Sequence, residues 1–345
     1  MSEKSRSRPA LALAILAATL VFPRVADAAI DGRWILEFEP KEDRVQLTTK
    51  RSSWHGHSEN SCSYPTSAFR GLTRPKSSTD SPARFEMVRD AGTLTFEGQL
   101  DSGGGSGRFS FQADSAFAAD MAKLGHDHLS DENLYTMAIH DIDRAFVRGL
   151  ADAGYPRLSF DDLVAMRIHG ATPQFVRDLA SLGYSHLSPD DLVAMRIHGA
   201  TPEFIGELRA LGYERLSSDD LVAMRIHGAT PEFLKGMAAA GFGKVSADDA
   251  VAMRIHEVTP EFVRSLREMG YDHLSSNDAV SMRIHGVTPE FVRQIQALGF
   301  RDASVDDLVS MRIHGVTTDF ARKMKARDPG VTVDELVSMR IHGRD

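Results

Sequence analysis

Apolar residues along this chain fall in two different rhythms, and the change comes near residue 114. Before it the period is two. Trp34, Leu36 and Phe38 alternate with Arg33, Ile35 and Glu37, and Val45, Leu47 and Thr49 repeat the alternation. A third run, Arg84 to Leu100, carries Phe85, Met87, Leu94 and Phe96 and is divided by Asp90-Ala91-Gly92. A glycine-rich turn from Asp101 to Gly107 then leads into Arg108-Phe109-Ser110-Phe111. Alternation places apolar side chains on one face of a strand, and Gly/Asp turns between such runs mark hairpins. Residues 30–113 therefore predict an antiparallel β domain of five or six strands, a small meander or sandwich. The segment Arg51 to Arg74 between the second and third runs reads as a loop.

From residue 114 to 345 the rhythm becomes helical and repeats every 29 residues, which signals an array of stacked units. The tetrapeptide Met-Arg-Ile-His shows the period, its arginine standing at Arg167, Arg196, Arg225, Arg254, Arg283 and Arg312. Arg340 follows 28 residues later, and Ala138 stands one period before Arg167, so eight copies are expected. One copy, Thr172 to Ala200, predicts two helices. Thr172 is placed to cap the first, Pro173 fits its first turn, and Gly183 ends it. Ser188 and Asp191 form a capping-box pair for the second, which continues to His198 and closes at Gly199. Phe175, Leu179 and Leu182 form one apolar stripe, and Leu192, Val193, Met195 and Ile197 are assigned to the buried side of the second helix. A lone hairpin cannot bury these residues, whereas a row of hairpins makes one core. The fold class expected is α+β, a small antiparallel β domain followed by an α-solenoid of eight helix-turn-helix repeats.

The N-terminus adds an address. Lys4, Arg6 and Arg8 precede an apolar run from Ala10 to Phe22, and Ala26-Asp27-Ala28 follows. That order is a secretory signal peptide over residues 1–28, cleaved after Ala28, with a periplasmic or secreted product. The run is shorter than the ~20 residues a spanning helix needs, so no membrane insertion is expected after cleavage. A formal charge of −8 argues against a nucleic-acid partner. Cys62 is the only cysteine, so no internal disulfide can form, and a free, buried thiol is expected.

Candidate chemistry is sparse. His55, His57, Glu59 and Cys62 are of metal-ligating types, but one short polar segment without a second cluster reads as a solvated loop. His140, His169, His198, His227, His256, His285, His314 and His342 form a ladder. Equivalent positions on packed helices lie about 10 Å apart, so neighbouring rungs cannot share an ion, and each histidine is expected to serve the end of its helix. No metal, no cofactor and no catalytic residue is assigned. The arginine ladder has two readings: each arginine bridges to a capping-region aspartate, or the row is a basic stripe that takes carboxylates from an acidic partner. The six arginines Arg167, Arg196, Arg225, Arg254, Arg283 and Arg312 are the candidate partner-binding residues.

The repeat TPEFVRxLxxLGYxxLSxDDLVAMRIHGV, with the preceding FRGL, RDAGTLTFEG and GGGSGRFSF, resembles the extracytoplasmic tail of bacterial BlaR-type antirepressor metalloprotease-like proteins. The resemblance spans roughly residues 30 to 345. The protease part is absent, with no H-E-x-x-H, so nothing catalytic carries over. The resemblance implies a sensing or binding role outside the membrane. The function expected is an exported, non-enzymatic module that binds a protein or peptide along the array. The alternative is an envelope ligand or stress sensor with a small-molecule site in the β domain. A deep apolar pocket in the β domain would favour the sensor, and a contiguous exposed patch on one face of the array would favour the scaffold.

Overall fold

A computed structural model of the protein describes residues 30–343, apart from 41, 54 and 55. The expected signal segment and His55 lie outside the described residues. The chain divides into two compact units, one ending at Asp114 and one spanning Ser115–Asp345.

In the first unit, β1 (Ile30–Phe38), β2 (Arg44–Ser53), β3 (Gly56–Pro65), β4 (Ser81–Arg89), β5 (Gly92–Leu100) and β6 (Gly104–Ala113) form one antiparallel sheet. Its order is β3-β2-β1-β6-β5-β4, two three-stranded meanders joined through β1 and β6. The period of two holds in the burial: Trp34, Leu36, Phe38, Val45, Leu47, Phe85, Met87, Leu94, Phe96, Phe109 and Phe111 are all buried. Phe85 and Phe96 stack at 4.9 Å, and Trp34 meets Phe85 edge-on at 5.2 Å. The Trp34 indole N–H, which must find an acceptor when buried, donates to the carbonyls of Glu97 and Arg108. Phe69, in the connection after β3, packs on Tyr64, Phe85 and Phe96. Arg70 beside it bridges to Glu86 of β4 by two backbone hydrogen bonds, 2.7 and 2.9 Å. That contact partly occupies the open edge of β4, where unpaired backbone would otherwise invite association.

Two expectations are corrected here. The stretch read as a loop contains all of β3 and the end of β2, paired from Arg44↔Pro65 to Ser53↔Gly56. Among the residues of β3 whose side chains are described, Tyr64 alone is buried, so no apolar alternation marks the strand. It is held by its backbone ladder. His57, Glu59 and Cys62 lie on this strand, and Cys62 is free and half-buried, not fully buried as expected. The glycine-rich stretch, read as a turn, is already strand from Gly104 onward. A Cβ on Gly105 or Gly107 would sit 2.0 Å from the carbonyl oxygens of Gln99 and Glu97 respectively, so glycine permits close approach of β5 and β6.

The second unit holds sixteen helices among the described residues, two per copy. In the copy read above these are α5 (Pro173–Ser181) and α6 (Pro189–His198). The Thr172 hydroxyl accepts from the Phe175 N–H, and Ser188 and Asp191 exchange both capping-box hydrogen bonds. The backbone N–H of Tyr184 returns to the Leu179 carbonyl and that of Gly183 to Ala180, the Schellman closure. First helices pack on first helices of adjacent copies and second on second, giving two layers around a continuous core. That core takes Phe175, Val176 and Leu179 from α5 and Leu192 and Met195 from α6. Leu182 and Val193 are only half-buried, and Ile197 is 54% exposed, which corrects its assignment to the core. At 100° per residue, Ile197 points roughly 140° away from Leu192 and further still from Met195. The class is α+β, an antiparallel sheet followed by a helical repeat array. No helix among the described residues is long and apolar enough to cross a membrane.

Candidate functional site

Each repeat arginine sits in the last turn of a second helix, and its surroundings repeat from copy to copy. The Nε–H of Arg167 donates to the carbonyl of His140 at 3.0 Å, and Arg225, Arg254 and Arg283 reach His198, His227 and His256 at 3.3–3.4 Å. Each acceptor belongs to the end of the previous copy's second helix, where carbonyls lack intrahelical partners and the helix dipole is negative. The flat of each guanidinium lies over a phenylalanine of the first helix in its own copy: Arg196 over Phe175 at 4.9 Å, Arg225 over Phe204 at 5.0 Å, Arg312 over Phe291 at 5.2 Å. One arginine thus joins three pieces, its own helix, the first helix of its copy and the end of the preceding copy. A charge-assisted hydrogen bond and a cation–π contact at a half-open site together contribute on the order of 1–2 kcal/mol per rung.

The expected aspartate partner in the capping region is not what these arginines use. Among the described residues Arg167, Arg225, Arg254 and Arg283 use backbone carbonyls, with a carboxylate added at Arg167 and Arg283. The residue after the second helix adopts a left-handed conformation, and glycine fills it at Gly170, Gly199, Gly228, Gly286 and Gly315. Asp141 and Glu257 stand at the equivalent place with φ of 56°. Each of these two accepts an ion pair from the next copy's arginine, Arg167 to Asp141 and Arg283 to Glu257, both 2.8 Å. A non-glycine residue there costs about 1 kcal/mol of backbone strain, which the pairing offsets only in part at such exposure. Among the described residues no ion pair holds Arg196, Arg225, Arg254 or Arg312, and these four are the exposed ones. Arg196, Arg225 and Arg254 are consecutive rungs.

Beside the arginines runs a feature assigned wrongly from the sequence. Ile168, Ile197, Ile226, Ile255, Ile284, Ile313 and Ile341 are each 51–55% exposed, one in each of the last seven copies, while Ile139 of the first copy is buried. In a helix the preceding Arg and following His flank each isoleucine on opposite sides, about 100° away. His169, His198, His227, His285 and His314 are also exposed. The result is a row of apolar side chains bordered by guanidinium on one side and imidazole on the other. Exposed isoleucines scattered singly need no explanation, but the same exposed position repeated along one face is a regular feature.

No protein-family model matches the chain, and no curated protein matches it in sequence. The expectations that rest on resemblance therefore gain no support from relatives, and the surface geometry carries the functional argument.

A second staple was missed in the sequence. The hydroxyl of Tyr155 donates to the carbonyl of Leu187, Tyr184 to Leu216, Tyr213 to Val245 and Tyr271 to Ala303, at 2.7–2.9 Å, each reaching 32 residues forward. Burial raises the pKa of all four phenols. The signal was present in the recurrence of tyrosine at 155, 184, 213 and 271, although Phe242 and Phe300 fill the same register without a hydroxyl.

The imidazoles of the ladder make no hydrogen bond to a helix end among the described residues; what the arginines bind is the main-chain carbonyl of His140, His198, His227 and His256. Burial, with Arg167 nearby, lowers the pKa of His140. Among the described residues no group of three or more His, Cys, Asp or Glu is placed to hold a metal ion.

The sheet unit carries a different surface. The register aligns Glu59, Lys50, Arg33, Arg108, Glu97 and Arg84 straight across all six strands. Ion pairs close the two ends, Lys50–Glu59 at 3.2 Å and Arg84–Glu97 at 3.1 Å. Arg33 is left between two cations, an arrangement unfavourable by itself. Arg33, Lys50, Arg51 and Arg108 line a polar cavity of about 590 Å³ with Asp31 and Glu59.

Proposed function

We propose that the protein is an exported, non-enzymatic interaction module that binds a protein or peptide partner along the outer row of its second helices. The observation that carries this reading is the line of half-exposed isoleucines in seven successive copies, bordered by arginine and histidine. Repeat arrays offer extended surfaces of this kind, in which each copy adds a small contact and affinity accumulates along the row. The six candidate arginines contribute through their outer N–H groups, since Nε is committed to the preceding copy in four of them. A partner with carboxylates fits Arg196, Arg225 and Arg254, where no ion pair competes among the described residues. The periplasmic or secreted address rests on the order of charges and apolar residues in 1–28. The sensing or binding role implied by the resemblance to BlaR-type tails is compatible with this reading.

A peptide-display library panned on the full chain tests the proposal. Peptides should be enriched on the native protein and lost on the Ile197→Ser/Ile226→Ser/Ile255→Ser variant, whose changes lie on the surface. Failure to enrich any peptide, or enrichment that the triple substitution leaves intact, would remove the array-binding reading. The sensor alternative calls for a deep apolar pocket, whereas the cavity around Arg33 is polar and leaves it only a small-anion form. It would be supported by a small anion that raises the melting temperature of the native protein but not of Arg33→Gln.

A further inference from the structure

We infer that the ligand of the isoleucine row is an extended, left-handed polyproline-type segment with an apolar residue at every third position and acidic residues between them. This deepens the peptide-binding reading above and rests on it.

The argument is one of matching periods. Second helices of adjacent copies are in direct contact all along the array, and packed helices stand about 8–10 Å apart. One exposed isoleucine in each of seven successive copies therefore makes a row spaced by about that axis separation. A polyproline II segment has three residues per turn and rises about 3.1 Å per residue, so every third side chain faces the same way about 9.3 Å further on. A β-strand covers a similar distance in three residues, but side chains an odd number apart point to opposite faces. An α-helix matches the distance only at every seventh residue, about 10.5 Å, and its main-chain carbonyls are already used internally.

The flanking groups separate the polyproline segment from the helix. Rungs offer donors beside their isoleucine, a guanidinium edge with an exposed imidazole at Arg196/His198 and Arg225/His227, and a guanidinium with a half-buried imidazole at Arg254/His256. A polyproline segment has no internal hydrogen bonds, so its carbonyls are open to these donors at every turn. Charge then sets the composition. Asp141 and Glu257 occupy Arg167 and Arg283, which leaves Arg196, Arg225 and Arg254 as three successive rungs for ligand carboxylates. The same rungs argue against a second copy as occupant, because two such rows would set arginine against arginine.

The test uses the full chain and three synthetic peptides of equal length: five Leu-Glu-Pro triplets, the same composition in permuted order, and a helical peptide with leucine every seventh residue. Fluorescence anisotropy at low and moderate salt should give the triplet peptide at least a ten-fold tighter Kd than the other two, weakening as salt rises. The Ile197→Ser/Ile226→Ser/Ile255→Ser protein, with its helical circular dichroism unchanged, should lose at least ten-fold for the triplet peptide. Equal binding of the permuted or heptad peptide that still requires the isoleucines would overturn the three-residue register while leaving peptide binding in place. Self-association in sedimentation, or binding to anionic phosphatidylglycerol vesicles, abolished by the triple substitution and without peptide binding, would give the row to another occupant and overturn the inference. The comparison between peptides needs no variant, so it stands even if the substituted protein folds poorly.

Discussion

The sheet unit and the helical array solve the same problem, burial of apolar surface by short elements, in opposite ways. In the sheet a few large aromatic residues from distant parts of the chain meet at one place: Trp34, Phe85, Phe96 and Phe109 come from four strands. No strand there is stable without the others. In the array each copy repeats the same small set, Phe175, Val176, Leu179, Leu192 and Met195 in one instance, and meets only its neighbours. The sheet is therefore expected to lose structure as a unit, while the array tolerates local damage. Function follows the same division. A surface repeated many times suits a long ligand read in register, and a single cluster such as that around Arg33 suits one compact ligand.

The comparison can be broken most decisively at Phe96. Truncation of this fully buried, stacked ring to alanine should cost about 3–5 kcal/mol. The sheet transition, followed by tryptophan fluorescence, should fall or vanish while the helical signal at 222 nm melts as in the native protein. A common shift of both would show that the two units unfold together. Met224→Ala, in the middle of the array, should cost about 2–5 kcal/mol by the same cavity argument. Here hydrogen exchange should quicken mainly in the copies on either side of Met224, and uniform loss of protection from Ser115 to Gly343 would contradict nearest-neighbour stability.

Arg225→Gln sharpens the role of the staple. It removes the hydrogen bond to the His198 carbonyl and the contact over Phe204, and should cost about 1–2 kcal/mol in the array transition. A neutral result would leave the arginine row free of structural duty and strengthen its reading as a partner surface. The smallest effect expected is a pH dependence at the first copies. Burial depresses the pKa of His140, so below the free imidazole value of 6.5 the unfolded chain binds more protons than the folded one. Stability from this residue is complete above that pH and is lost as pH falls through the folded pKa. Exchange at Leu134 to Leu150 should therefore speed up between pH 7.5 and 5.5 beyond its intrinsic change, and His140→Gln should remove the excess.

Much of the array was legible because its determinants are local. A hydroxyl at the cap, proline at the first turn and glycine at the end act within a few residues, so Thr172, Pro173, Gly183, Ser188 and Asp191 announce both helices before any packing is known. The alternation through Trp34, Leu36 and Phe38 likewise reveals one buried face. Strand β3 escaped because a polar edge strand is made by the neighbour's backbone, and its own side chains carry little of that information. Ile197 was misplaced for a related reason. Hydrophobicity says that isoleucine prefers burial, but only the direction set by Leu192 and Met195 says which side of α6 faces the core.

The candidate site divides in the same way. Period, residue types and the sense of the arginine row were all present in the sequence, whereas the partner of each arginine was not. A carbonyl of the preceding copy becomes the acceptor only when stacking brings one helix end beneath the next copy's last turn. Tyr184 reaching Leu216 is decided at the same step. Local chemistry along 29 residues thus determined the helices and the number of copies. The distance and angle between copies, which no single copy contains, decided which of its residues bind the next copy and which are left exposed.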